Sequence, residues 1–135
     1  MRCEVTRRAA DAMLAAARAA HPFEACGILL GAGSRIDAFV PAANVHPDPA
    51  RRFEIDPQAL IDAHRAARAG GPALVGYFHS HPQGPAAPSA TDRAMAAGDG
   101  RIWAIAGGDA GVCDLAFFRA AQDGFETLCS AIIEG

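Results

Sequence analysis

Two short, unbroken apolar runs set the strongest limit on how this chain folds. Ile28-Leu29-Leu30 lies between Gly27 and Gly31, and a second run leads from Ala73 to His79; both suit buried strands. Each run comes after a stretch of strong helix formers closed by a breaker. From Arg7 to Ala20 alanines surround Met13 and Leu14, Thr6 is a fitting N-cap, and His21-Pro22 ends the helix because proline disfavours helical geometry in the residue before it. A second helix is predicted from Pro57 to about Ala69. Asp56 caps it, Pro57 suits the first helical position, and Gly70-Gly71 stops it.

The remaining elements are read the same way. Arg2–Val5 is a short opening strand, and Arg35–Val40 pairs with the first apolar run as a hairpin around Ala32-Gly33-Ser34. Pro41–Pro49 is a loop, and Phe53-Glu54-Ile55 reads as a short strand. After a proline-rich loop from His81 to Pro88, Ser89 caps a helix to about Ala97. Ile102–Ala106 and Val112–Arg119 are strands around a Gly-Gly-Asp-Ala-Gly turn, and Phe125–Ile133 reads equally as helix or strand. Helices alternate with strands, so the expected class is mixed α/β, a central β-sheet flanked by helices, in a single domain over residues 1–135.

Composition narrows the function classes. A net charge of −3 with no basic run gives no electrostatic footprint for nucleic acid. No apolar run approaches the roughly 20 residues that span a bilayer, and no signal segment opens the chain, so the expectation is a cytoplasmic protein with reduced thiols. Cys3, Cys26, Cys113 and Cys129 form no Cys-x-x-Cys pair and are read as small buried hydrophobes.

The chemistry concentrates in Gly76-Tyr77-Phe78-His79-Ser80-His81-Pro82, followed by Ser89-Ala90-Thr91-Asp92. Two histidines two apart on a strand project from the same face, which places two imidazoles within reach of one metal. A catalytic zinc takes three protein ligands and a water, and Asp92 is a plausible third ligand. Ser89 and Asp92 are three apart at a helix start, so both can face the end of that strand. Each piece also has a plainer reading: Ser-x-x-Asp as a capping pair, His-x-His as packing or surface. Their conjunction is what speaks for metal. Glu24 sits in His21-Pro22-Phe23-Glu24-Ala25-Cys26-Gly27, where a half-buried carboxylate needs a partner, such as a zinc-bound water.

Glu24, then His79 and His81, seven residues, Ser89, two residues and Asp92 reproduce the composite pattern of the JAMM metalloproteases, also called the JAB or MPN-plus family. The flanks Pro22-Phe23-Glu24-Ala25-Cys26-Gly27-Ile28-Leu29-Leu30-Gly31 and Pro88-Ser89-Ala90-Thr91-Asp92 agree with it. The chain resembles a small bacterial-type, single-domain member. The resemblance implies a fold related to the cytidine-deaminase architecture and one catalytic Zn2+ on His79, His81 and Asp92. It implies Glu24 as general acid/base and Ser89 as donor to the oxyanion. The implied activity is hydrolysis of a peptide, isopeptide or related amide bond. The implied partner is a ubiquitin-like or sulfur-carrier protein, cut after its C-terminal Gly-Gly, a carrier–cysteine adduct included. Phe53 and the Pro41–Pro49 loop are candidates for the wall of a cleft beside a sheet edge; Phe53 as plain core is the competing reading. His46 and His64 are read as surface or packing residues, and Tyr77, Phe78 and Trp103 as core.

Other classes separate on the same residues. A non-catalytic MPN scaffold lacks this ligand set. A nucleoside deaminase needs His-x-Glu and Pro-Cys-x-x-Cys, which the chain does not have. A structural zinc site closes with four protein ligands, and only three are found. The oligomeric state is open, a homodimer included.

Overall fold

A computed structural model describes residues 1–108 and 114–134. The chain opens with β1 (Arg2–Thr6), α1 (Arg7–Ala20) and the hairpin β2 (Cys26–Ala32) and β3 (Arg35–Ala42). α2 (Pro57–Arg68), β4 (Ala73–Ser80) and α3 (Ala90–Met95) follow, then β5 (Ile102–Gly107), β6 (Asp114–Ala121) and β7 (Gly124–Ile133).

The helices begin and end where local chemistry dictates. The Thr6 hydroxyl accepts from the Ala9 N–H at the start of α1, and His21, ahead of its proline, leaves the helix at ψ 130°. Asp56 caps α2, accepting from the Gln58 N–H, with Pro57 in the first turn. α3 is shorter than its sequence suggests. Ala96 has already turned to extended geometry, ahead of the Gly98-Asp99-Gly100 bend.

The central sheet is closed rather than open-edged. Its strands run β1-β3-β2-β4-β5-β6-β7 and close into a barrel, because β1 pairs in parallel with both β3 and β7. β7 is the stretch that read equally as helix or strand. Its pairing with β6 on one side and β1 on the other settles it as strand, since tertiary ladders override weak local preference. Phe53-Glu54-Ile55 is not a strand: only Ile55 makes a single bridge, to Asn44. Of the expected Val112–Arg119 strand, Val112 and Cys113 lie outside the described residues, as do Asp109–Gly111 of the preceding turn.

Two apolar clusters cover the two faces of the sheet. α1 touches β1, β3, β4, β5 and β7, so the sheet curls around it. Its Ala9, Ala10, Met13 and Ala17 pack with Val5, Leu29, Ile36, Phe78 and Ile102. Small alanines bring the helix axis close to the sheet, and each fully buried Phe or Ile beneath it contributes about 1.5–3 kcal/mol. On the other face Cys26, Ile28, Ile55 and Leu74 pack with Leu60, Ala63 and Tyr77, which seats α2. A register shift between Leu29 and Leu30 in the β2–β4 ladder puts Leu74 on the α2 face and Val75 on the α1 face. Beyond it, Tyr77 and His79 share the α2 face with Trp103 of the neighbouring β5. Of the cysteines, Cys3 and Cys26 are buried as expected. Cys129 is exposed, because strand alternation turns it outward beside the buried Leu128.

Candidate metal centre

β4 ends at the chemistry. Its ladder with β2 sets Cys26 against His79, and its ladder with β5 sets His79 against Ile105. One step further along the antiparallel pair, Ala25 meets Ser80: the Ser80 N–H donates to the Ala25 carbonyl at 3.0 Å, and the Ala25 N–H to the Ser80 Oγ at 2.8 Å. Continuing the same register brings Glu24 abreast of His81. A glutamate 55 residues from the first histidine is thus placed by strand pairing.

The two histidine Nε2 atoms stand 3.1 Å apart, and the Asp92 carboxylate lies 3.1 Å from each. Tetrahedral zinc with donors at about 2.0–2.1 Å separates them by about 3.3 Å, so the triangle suits one ion. Among the described residues these three form the one cluster able to hold a metal. His81 also carries the right tautomer. Its Nδ1 lies 2.9 Å from the Pro85 carbonyl, which only accepts, so a proton sits on Nδ1 and Nε2 is the nitrogen that, once deprotonated, can bind a metal. His79 is held differently. Its Nδ1 is buried without a hydrogen-bond partner; the ring is fixed by Phe53, stacked at 4.3 Å, and by the edge of Trp103 at 5.6 Å. The donor set therefore fits zinc.

Asp92 does two things at once. Its carboxylate accepts from the Ser89 N–H at 3.0 Å, and the Ser89 Oγ accepts from the Asp92 N–H at 3.1 Å, a reciprocal capping box. The capping reading of Ser-x-x-Asp is thus met, and the same geometry leaves the Asp92 carboxylate beside the two imidazoles, where it could also hold a metal. With its lone pair so used, the exposed Ser89 hydroxyl keeps its proton free to donate.

Electrostatics follow from burial. Burial alone would raise Asp92, but hydrogen bonds to His79 and His81 outweigh it and hold the carboxyl well below the usual range. Burial pushes His79 down and keeps it neutral. His81 is raised: burial opposes its charge, but Asp92 and the Pro85 carbonyl prevail. Glu24, 6% exposed, is pushed up to about 7, chiefly by burial, with the His81 charge opposing and Asp92 adding. Burial pushes the Cys26 thiol up to about 12, which removes it from metal or nucleophile chemistry.

Two clefts meet at this centre. One, of about 570 Å3, is lined by Phe53, Tyr77, Trp103, Leu60 and Met95 and reaches Glu24 and Asp92. The other, of about 390 Å3, runs under the proline-rich loop and reaches Glu24, His81 and Ser89. Arg51 and Thr91 border both. Neither cleft runs along a sheet edge; the larger opens over the sheet face that carries His79 and Trp103. Phe53 reconciles its two readings, packing on His79 while lining the larger cleft. His46 lines the same cleft, its Nδ1 accepting from the Asp48 N–H. His64 stays half-buried on α2. Phe78 and Trp103 are buried as expected, whereas Tyr77 is half-buried at the cleft.

Two site-shaping residues have no motif to announce them. Asn44 uses all four of its polar contacts: it donates to the Glu24 and Arg52 carbonyls and accepts from the His46 and Glu54 N–H groups. Gly107 lets the loop press on β5. A Cβ there would stand 2.7 Å from Gly84, Pro85 and Ala86 backbone atoms, while the Gly108 N–H donates to the Gly84 carbonyl at 2.8 Å.

Comparison with known proteins bears on the fold and the family. A desampylase of Haloferax volcanii is 36% identical over 90 residues, 65% of each chain. A probable TtuB-protein conjugate cleaving protease of Thermus thermophilus is 43% identical over 67 residues, 49% of this chain and 45% of that one. The matches thus span about half to two thirds of these relatives. The solution structure of a protein from Desulfitobacterium hafniense superposes with a TM-score of 0.84 at 30% identity, covering 98% of this chain and 94% of the other. Residues 6–121 match the family model described as prokaryotic homologs of the JAB domain. The chain belongs to that family.

Proposed function

We propose that this chain is a zinc metallopeptidase that hydrolyses the amide bond after the C-terminal Gly-Gly of a ubiquitin-like or sulfur-carrier protein. The observation that carries the reading is the convergence of His79, His81 and Asp92 at 3.1 Å spacings, with the buried Glu24 reaching the same two clefts. The names of the relatives, one of them a conjugate cleaving protease, support the substrate class.

His79, His81 and Asp92 would hold the ion. Bound there, zinc supplies Lewis acidity, which acidifies water towards a pKa of roughly 7 and polarises a carbonyl. Glu24 carries the proton. Its buried carboxyl reaches both clefts, so it is placed to take a proton from the attacking water and deliver it to the leaving amine. Ser89 Oγ donates to the oxyanion; losing one such donor costs about 3 kcal/mol of transition-state stabilisation. The scissile bond lies where the clefts meet, with a carrier tail on one side and the leaving amine on the other. Glycines at that point let the chain approach the centre without side-chain collision.

The test uses zinc-loaded protein and a carrier ending in Gly-Gly, joined either to cysteine or to a lysine side chain, with products read by intact mass. Chelator-sensitive release of the carrier is expected, and Glu24→Gln is expected to abolish it while zinc stays bound. Cleavage that resists chelator would overturn the metal mechanism. A protein that binds no zinc and cleaves neither carrier would instead be a scaffold.

A further inference from the structure

We propose that Ser80 and Asn44 are positioning residues that grip the Glu24–Ala25 peptide from both ends and so aim the Glu24 carboxylate. This rests on the reading of Glu24 as the proton carrier. A buried peptide unit must have its C=O and N–H paired, and in a strand both partners are backbone groups. β2 begins only at Cys26, so the preceding peptide lacks a regular ladder. Side chains from two other parts of the fold complete it. The Glu24 carbonyl accepts from Asn44 Nδ2 at 3.1 Å, and the Ala25 N–H donates to Ser80 Oγ at 2.8 Å. The Glu24 N–H donates to the Pro49 carbonyl at 2.8 Å, on the same segment that Asn44 ties together. With the peptide plane fixed, only the side-chain torsions of Glu24 remain, and burial restricts those.

Ser80 thereby gives the middle position of His79-Ser80-His81 a task. Strand alternation turns its side chain away from the two imidazoles, and its hydroxyl serves the base strand while its neighbours serve the metal. Ser80 is 3% exposed, so its bond to Ala25 is shielded from competing water. Asn44 extends the grip outward: the same amide that holds Glu24 also holds the Arg52 carbonyl, next to Phe53 on the cleft wall.

Ser80→Ala, Ser80→Thr, Asn44→Ala, Asn44→Asp and Glu24→Gln are compared with the parent as zinc-loaded proteins. Asn44→Asp keeps the two acceptor contacts that shape the loop and removes both donations, to the Glu24 and Arg52 carbonyls. Zinc content is expected within about twofold of the parent in the Ser80→Ala and both Asn44 variants, and KM within about twofold in Ser80→Ala, whose side chain is remote from the cleft wall. A displaced catalytic group loses roughly 10–100-fold in kcat. Ser80→Thr, which retains the acceptor oxygen, recovers most of that loss. Hydrogen exchange of the Ala25 amide speeds up in Ser80→Ala. If Glu24→Gln is inactive while Ser80→Ala and both Asn44 variants keep more than half of kcat, the grip is refuted and the base reading stands. The grip is also refuted if kcat falls only in step with zinc content. If Glu24→Gln cleaves at the parent rate, the base reading fails and the inference fails with it.

Discussion

Glu24 concentrates the tension at this site. Its carboxyl is buried, and its raised pKa means that ionisation costs folding energy. The unfolded group titrates near 4.5 and the folded one at about 7. Stability contributed by the protonated form is therefore full below about pH 4.5 and is lost as pH rises to about 7. In metal-free protein, Glu24→Gln escapes that loss. It should be more stable than the parent by about 3 kcal/mol above pH 7, with the difference vanishing below pH 4.5. Chemical denaturation across that range, in chelator, checks the sign. The residues legible in the sequence were those whose partners lie at fixed short spacings: His79 with His81, Ser89 with Asp92. Glu24 was legible only from its half-buried setting and a resemblance. Asn44 and Gly107 were not, because their partners are backbone atoms brought near only by folding.

At the level of elements, the helices were readable almost residue by residue, since caps and breakers are local. Phe53-Glu54-Ile55 misled because alternating apolar residues also occur in a segment pinned by a side chain. Asn44 accepts from the Glu54 N–H, where a ladder would have supplied a carbonyl. The proline-rich loop from His81 to Pro88 carries no motif of its own, yet its Pro85 carbonyl orients His81. Its seat is the glycine end of β5. Gly107→Ala should push Gly84–Ala86 away, loosen the His81 hydrogen bond and weaken zinc affinity by about 10–100-fold. Competition titration against a chelator of known affinity measures it. Unchanged affinity would mean that the loop does not orient the ligand.

Across the whole molecule, closure of the sheet escaped sequence reading. Parallel pairing of β1 with β7 joins residues more than 120 positions apart, and no local pattern encodes that. What the sequence did carry was the two-sided cover, with α1 on one face and α2 on the other. The proposed metal site crosses this architecture and would tie the end of β4 to α3. Removing the ion should therefore register as global stability. With free zinc at about 1,000 times its Kd, binding adds about 4 kcal/mol, enough to shift Tm by about 10 °C. Thermal scans with and without chelator test this, and an unchanged Tm would mean that zinc does not bind the native fold.

The shared carboxylate of Asp92 has a kinetic corollary. A ligand that also begins a helix cannot swing away while that helix stays wound, because its oxygen is engaged by the Ser89 N–H. Were zinc held there, its departure would await fraying of the first turn of α3, six residues long. Escape becomes a matter of waiting for a local unwinding event, so the rate of metal transfer should level off as chelator is raised.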